Sequence, residues 1–287
     1  MQPHINNPNL THETLSDYSI KFISNYIYQR TGIVLGEKKR YLIENRLKSV
    51  ARFLGMSKLS ELIAELANQN PQIEVLVVDS LTTNETSWFR DKKPFVAMKE
   101  LIFPMIAQYK PSNNLNIWSA ACSTGQEPYS LAMLTLESGW FNNWYVKIFA
   151  TDISTKALSK AKMGIYSQLE VSRGLPVNYL VKYFNQQGEA WQIKPCVKKF
   201  IHFQRHFLQN KLLKPGAFDL IFCRNVLIYF DDKTKQTILN NIYNALSATG
   251  LLVLGSSETT LTINSEFEFI RIGDATFYSK AAEKNWW

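Results

Sequence analysis

Residues 117–127, IWSAACSTGQE, constrain the fold of this chain more than any other stretch. Leu115, Ile117 and Trp118 read as an apolar strand, Ser119–Gly125 carries little side-chain bulk, and a helical pattern follows at once. A strand that turns through small residues and a Gly into a helix lets a ligand approach the backbone closely, as in nucleotide-binding α/β folds. Lys147–Thr151 reads as the next strand and ends in Asp152. A carboxylate at that tip is placed to bind a ribose hydroxyl pair. A third apolar strand lies in FDLIFCRNVLIYF at 218–230 and breaks at Arg224–Asn225. Three strand ends in order, each carrying a polar device, describe a nucleoside pocket on a parallel sheet.

The G-x-G-x-x-G pattern is absent, which argues against a pyrophosphate ligand. One Gly in the turn suits a nucleoside without phosphates, and S-adenosylmethionine fits better than NAD. At 287 residues, two domains are the natural expectation. An apolar content of 46% supplies a full core, and no apolar run approaches the length of a membrane span. The start, MQPHINNPNLTHETL, has neither a charged n-region nor an apolar h-region, so no signal peptide is expected. Cys122, Cys196 and Cys223 lie at no metal-ligand spacing. They point to a reducing, cytoplasmic setting and read as buried small apolar residues in strand-like contexts. The net charge of +8 suggests an acidic partner.

Residues 16–82 read as helices only. Ser16 can cap a helix whose Ile20, Ile23 and Ile27 share a face and which Gly32 closes. A second helix over about 37–54 places Ile43, Leu47, Val50 and Leu54 on one stripe, with Lys38, Lys48 and Arg52 on the opposite face. Glu37–Lys58 holds seven basic residues against two acidic ones. That excess of one sign makes Lys38, Lys48 and Arg52 candidates for docking an acidic partner. Helices over 58–69 and 71–82 complete a small bundle.

The segment Thr83–Asp91, TNETSWFRD, is too aromatic for a plain linker and reads as a connector folded over a pocket. From 94 onward β and α patterns alternate: helix 94–110, strand 115–120, helix 126–138, strand 146–151, helix 154–163, strand 218–223, helix 232–247 and strand 251–255. EFEFIRIGDATFY at 266–278 reads as a hairpin around Gly273–Asp274. The alternation predicts a mostly parallel sheet with helices on both faces and an antiparallel hairpin at its edge. Residues 164–200 interrupt it, and alternation in Ala190–Ile193 and Lys198–Phe203 predicts a small inserted antiparallel sheet.

The motifs NETSWFRD (84–91), WSAACSTGQEPYSLAM (118–133), ATDIS (150–154), GIYSQLEVSRGLP (164–176) and FDLIFCRNVLIYF (218–230), in this order, resemble the CheR family of chemotaxis receptor methyltransferases. The resemblance covers essentially the whole chain. It implies an N-terminal helical domain over 12–83, a connector over 84–93, and a Rossmann-like methyltransferase domain over 94–287 with a β-subdomain inserted at about 165–200. It implies methylation of glutamate side chains on the helical cytoplasmic region of chemoreceptors, with S-adenosylmethionine as cofactor, S-adenosylhomocysteine as product and no metal. It leaves open a receptor-derived tethering peptide at the β-subdomain, and it implies neither nucleic-acid binding nor membrane insertion. The C-terminal Asn285–Trp287 is only faintly like such a peptide and is read as a disordered end.

Carried over by position, the resemblance assigns Asn84, Thr86 and Arg90 to closing over the cofactor and Asp152 to the ribose. Ala120, in the strand before the turn, and Glu127, the acidic residue after it, join them as cofactor candidates. Arg224 and Asn225 match residues beside the adenine and methionine parts, and Tyr229 an aromatic hydroxyl near the methyl. Where the family usually has Asn-Leu, this chain has His206–Phe207, and His206 could still donate to the adenine edge.

The chemistry fits. A glutamate carboxylate is already ionised at pH 7, so the missing nucleophile triad is expected. In-line transfer from a sulfonium asks for alignment and exclusion of water. Arg90 takes the role of orienting the substrate carboxylate. Two other classes compete. A nucleic-acid methyltransferase would be motivated by the charge, but the place after the fourth strand holds Asn225–Val226–Leu227–Ile228 in place of an Asn/Asp-Pro-Pro-aromatic stretch. A non-catalytic nucleoside sensor would be expected to have lost cofactor motifs that, apart from His206, stand intact here.

Overall fold

Apolar spacing and a polar side-chain cap coincide at two helices of the N-terminal segment, Asp17–Thr31 and Pro71–Leu81. The structure, a computed structural model, describes residues 13–36, 40–211, 216–260, 263 and 266–280. The chain divides into two units, Met1–Thr83 with Tyr229–Asp231, and Asn84–Ile228 with Asp232–Trp287.

The first unit contains α1 (Asp17–Thr31), α2 (Arg40–Phe53), α3 (Leu59–Ala67) and α4 (Pro71–Leu81). Ser16 caps α1 by accepting from Ser19 N at 3.1 Å, and Gly32 closes it in the left-handed conformation. Asn70 caps α4 through Gln72 N. Ile23, Ile27, Ile43, Leu47, Leu62, Leu66 and Val77 fill the core between the helices. The segment Tyr229–Asp231 groups with this unit. Val34 N donates to Tyr229 O at 2.9 Å, and Tyr28 OH donates to Asp231 Oδ2 at 2.7 Å.

The second unit opens with α5 (Lys93–Ala97), a π-helical turn (Met98–Ile102) and α6 (Phe103–Tyr109). The expected single helix is therefore widened in its middle. Pro104 has no N–H to give back to the preceding turn, and a π-turn absorbs the missing bond. Then follow β1 (Asn114–Ala120), α7 (Gln126–Ser138), β2 (Tyr145–Asp152), α8 (Thr155–Met163), β3 (Ile165–Ser167), α9 (Gln168–Ser172), α10 (Val177–Tyr183), β4 (Phe184–Gln187), β5 (Ala190–Ile193), α11 (Pro195–Lys198), β6 (Ile201–Arg205), β7 (Phe218–Cys223), α12 (Asp232–Ala245), β8 (Leu246–Leu254), β9 (Phe267–Ile272) and β10 (Ala275–Lys280).

The main sheet runs β6-β2-β1-β7-β8-β10-β9. Neighbours are parallel up to β8, and β10 is antiparallel to both β8 and β9. The hairpin turns at Gly273–Asp274, as its alternation predicts. Ile117, Ile148, Leu220, Phe222 and Val253 are fully buried between helices on both faces, which accounts for near-continuous apolar strands.

The insertion forms a separate sheet, β3-β5-β4, antiparallel throughout. Ala190–Ile193 joins it as expected. Lys198–Phe203 does not. Ile201–Arg205 pairs in parallel with β2 as an edge strand of the main sheet, and the residues before it form α11. Alternation shows a half-buried strand but does not say which sheet takes it. Short α9 and α10 occupy stretches too brief for helical periodicity to register.

Candidate functional site

Three strands of the sheet unit end level with one another. Ala120, the buried last residue of β1, is in register with Thr151 on β2 and Cys223 on β7. The residues that follow, Ala121, Asp152 and Arg224, therefore leave the sheet along one carboxyl edge, where ligands of parallel α/β sheets bind.

The turn after β1 is held in an unusual conformation. Ala121, Ser123 and Gly125 have φ of 61°, 52° and 96°. Left-handed non-glycine residues cost energy and persist where surroundings over-determine them. Here Cys122 N donates to Thr151 O at 2.8 Å, and Ser123 N to Asp152 Oδ2 at 2.7 Å. Ser123 Oγ donates to Asn84 O at 2.9 Å, tying the connector to the turn. A Cβ on Gly125 would meet Ala161 Cβ at 2.9 Å, so no other residue fits there.

Asp152 is buried and also accepts from Ser154 N at 2.8 Å. The carboxylate thus shapes the turn, which the sequence did not reveal. Beside it, His206 N donates to Asp152 O at 3.0 Å. The His206 ring meets Trp118 edge-on at 6.0 Å, and its Nε2 is buried without a hydrogen-bond partner. Burial holds the imidazole below its ordinary pKa. A buried ring nitrogen without a partner is a polar group whose hydrogen bond a ligand could complete. Phe207 lies under the Arg205 guanidinium at 5.1 Å.

On the other side of the turn, Glu127 opens α7. Its Oε1 accepts from Ser119 Oγ at 2.7 Å and its Oε2 from Arg224 Nη1 at 3.2 Å. Burial pushes the Glu127 carboxyl above its usual value, while the charges of Arg224 and Arg90 pull the other way. Arg224 Nη2 donates to Arg90 O and to Asp91 Oδ2, both at 2.8 Å. The Arg224 side chain is 2% exposed and its carbon Cζ stands 5.7 Å from the Phe95 ring centre. The connector is thus bound to the site at both ends, by Asn84 to the turn and by Arg90 and Asp91 to Arg224. Trp88 anchors it further, its indole N–H donating to Glu170 O at 3.0 Å. Arg90 itself is half-buried, with Nη1 donating to Glu85 O at 3.3 Å. Thr86 lies half-buried in the connector.

Asn225 takes φ of 57° immediately after Arg224. Glu258, on the loop after β8, accepts from Asn225 N, Val226 N, Leu227 N and Gly255 N at 2.6 to 2.9 Å. Sequence reading missed Glu258. The signal was Gly255 directly after an apolar strand, a mark of close backbone approach.

Tyr229, half-buried, belongs with the helical unit through its carbonyl. Cys122 and Cys223 are buried and their thiols are pushed well above the ordinary range, mainly by burial, which fits inert residues. Cys196 corrects the expectation of burial: it is exposed on α11. The basic face needs a correction too. Arg52 is exposed, but Lys48 is 8% exposed and forms no part of a solvated stripe. Lys38 and the C-terminal Asn285–Trp287 lie outside the described residues.

Known proteins place this arrangement. Residues 84–275 match the family model for the CheR methyltransferase SAM binding domain, and residues 19–82 match that for the CheR methyltransferase all-alpha domain. The chemotaxis protein methyltransferase of Vibrio anguillarum is 38% identical over 276 residues, covering 94% of this chain and 99% of that protein. Chemotaxis protein methyltransferase 1 of Pseudomonas aeruginosa is 38% identical over 258 residues, covering 88% and 94%. Among the described residues no helix is long and apolar enough to cross a membrane.

Proposed function

This chain belongs to the CheR methyltransferase family, and on that premise we propose that it methylates glutamate side chains on the helical cytoplasmic region of chemoreceptors, forming methyl esters for sensory adaptation. The observation that carries the reading is the carboxyl edge of the sheet, where the strained turn after β1 meets the Asp152 carboxylate.

These residues fit S-adenosylmethionine. Asp152, at the tip of β2, would hold the ribose hydroxyls. His206 would meet the adenine, and Glu127 the cationic end. Asn84, Thr86 and Arg90 would cover it, and Ala120 and Asn225 would line it. When bound, the cofactor supplies a methyl group on a positively charged sulfur.

The chain's own part is positioning. The substrate carboxylate is ionised at pH 7, so no residue has to remove a proton. Arg90 orients that carboxylate from the connector. Alignment and exclusion of water can supply on the order of 7–11 kcal/mol of a bimolecular barrier. Docking of the receptor falls to the helical unit, where Arg52 is exposed on α2, and a tethering peptide, where a receptor has one, to the inserted sheet. The nucleic-acid alternative finds no support in the relatives.

Transfer of tritiated methyl from S-adenosylmethionine to receptor-containing membranes tests the reading. A label released by mild alkali supports a glutamate ester. An alkali-stable label, or none, refutes it.

A further inference from the structure

The Glu258 carboxylate is fully used by backbone. Its Oε2 accepts from Asn225 N at 2.6 Å and Gly255 N at 2.7 Å, and its Oε1 from Val226 N at 2.9 Å and Leu227 N at 2.7 Å. Three of those donors follow one another in the chain, and the first belongs to a residue at φ of 57°. Consecutive N–H groups turned to one point make an anion-binding nest. Here the anion is a side chain from the neighbouring strand's loop, so the ends of β7 and β8 are clamped together. A Cβ on Gly255 would lie 2.5 Å from Glu258 Oε2 and 2.8 Å from Asn225 Nδ2, so the clamp also dictates that residue.

What the clamp holds in place is the segment that begins with Arg224. That guanidinium reaches Glu127 at 3.2 Å and the Arg90 carbonyl at 2.8 Å, and so joins α7 to the connector. We propose that Glu258 is a positioning residue for methyl transfer, an internal anion that fixes the left-handed turn at Asn225 and thereby sets Arg224 against Glu127 and the connector. It touches neither cofactor nor substrate. The proposal rests on the cofactor reading of the carboxyl-edge site.

The surroundings offer a direct test. A cavity of about 340 Å³ borders Glu258 and is lined also by Asp91, Lys93, Arg224, Gly255 and Tyr278. In Glu258→Ala the nest would lose its anion, and the space left by the carboxylate would open onto that cavity, which gives a small anion a route to the donors. S-adenosylhomocysteine binding is measured by calorimetry, first on the unaltered protein. Failure to bind there refutes the cofactor reading itself and is thereby distinguished from failure of the present proposal.

With binding established, Glu258→Ala should weaken affinity by roughly tenfold or more, the loss expected when buried donors are left unpaired. Formate should restore it saturably, and neither formamide nor chloride should. Should Glu258→Ala fail to fold, Glu258→Gln serves: it keeps the shape but turns an NH2 group towards two N–H donors, and it too should bind at least about tenfold more weakly. A merely structural role has a different signature. It lowers the fraction of protein that binds, seen in the calorimetric stoichiometry, and leaves the affinity of that fraction unchanged. That signature, wild-type affinity in either variant, or a weakened Glu258→Ala indifferent to formate would overturn the proposal.

Discussion

Arg224 and Glu127 come from consecutive positions along the sheet edge, one after β7 and one opening α7, and form an ion pair at 3.2 Å with the Arg224 side chain 2% exposed. Burying a lone guanidinium is costly, and this one is compensated by Glu127, Asp91 and the Arg90 carbonyl together. The same contacts that compensate it bind the connector to the helix after the strained turn. Residues that looked like separate cofactor contacts are thus mechanically one unit.

Arg224→Met should therefore lose more than a ligand contact. Glu127 and Asp91 would remain without their cation, and breaking a buried pair from one side costs about 3–5 kcal/mol. Urea unfolding should register that loss. An unfolding free energy close to wild type would mean that water replaces the guanidinium freely.

Asp152→Ala should weaken S-adenosylhomocysteine binding by roughly tenfold to a hundredfold, from a charge-assisted bond worth about 1.5–3 kcal/mol. It also strips the acceptor from Ser123 N and Ser154 N, so the turn should loosen. Asp152→Asn separates the two effects, because one oxygen remains for a backbone N–H. Calorimetry combined with amide exchange at Ser123 reads both. An unchanged dissociation constant in Asp152→Ala would remove Asp152 from the site.

The order of helices and strands was legible because its periodicities are local. Ser16, Gly32 and Asn70 mark helix ends by their own chemistry, and β1, β2 and β7 are apolar because both faces of the sheet are covered. Sheet membership was not legible for Ile201–Arg205, because pairing with β2 is a tertiary choice that alternation does not encode. In the site, residue types at strand ends pointed to Asp152, Glu127 and Arg224. Their partners were invisible. Nothing in the sequence says that Glu258 reaches the turn at Asn225, 33 positions away, or that Lys48 is buried.

His206 makes a prediction about acid. Its folded pKa lies below the ordinary 6.5 because burial disfavours the imidazolium. The unfolded chain therefore takes up the proton first as pH falls. The stability contributed by the neutral ring is complete above the unfolded value and is lost as pH drops through the folded one. His206→Asn places the family's usual residue there and should flatten that acid limb. Thermal unfolding of both proteins between pH 7 and 5 checks this, and parallel curves would show that His206 does not carry the dependence.

Arg90 is half-buried and its side chain holds one backbone carbonyl, Glu85 O, at 3.3 Å. Arg90→Ala should leave unfolding close to wild type and lower turnover about tenfold or more, as for an interaction made towards the transition state. Arg90→Lys should rescue poorly, since a point charge does not reproduce a planar fork. Wild-type turnover in both variants at matched stability would exclude the orienting role.

The burial of Lys48 changes how receptor docking is to be tested. Placing Glu at that position would put an acidic group into a buried site, so the effect on folding would obscure any effect on association. Arg52 sits four residues on, roughly on the same face of a helix with 3.6 residues per turn, and is exposed. Tyr41, eleven positions before it and therefore on that face as well, is 77% exposed. Arg52→Glu is the clean probe. An exposed pair is worth about 0.2–1 kcal/mol, so KM for receptor should rise by roughly 1.5- to 5-fold. The rise should shrink as salt increases, because screening acts over about 8 Å at physiological ionic strength. Affinity for S-adenosylhomocysteine should not change. Initial rates against receptor concentration at two ionic strengths give the answer, and a wild-type KM at low salt would make Arg52 an ordinary solvated side chain.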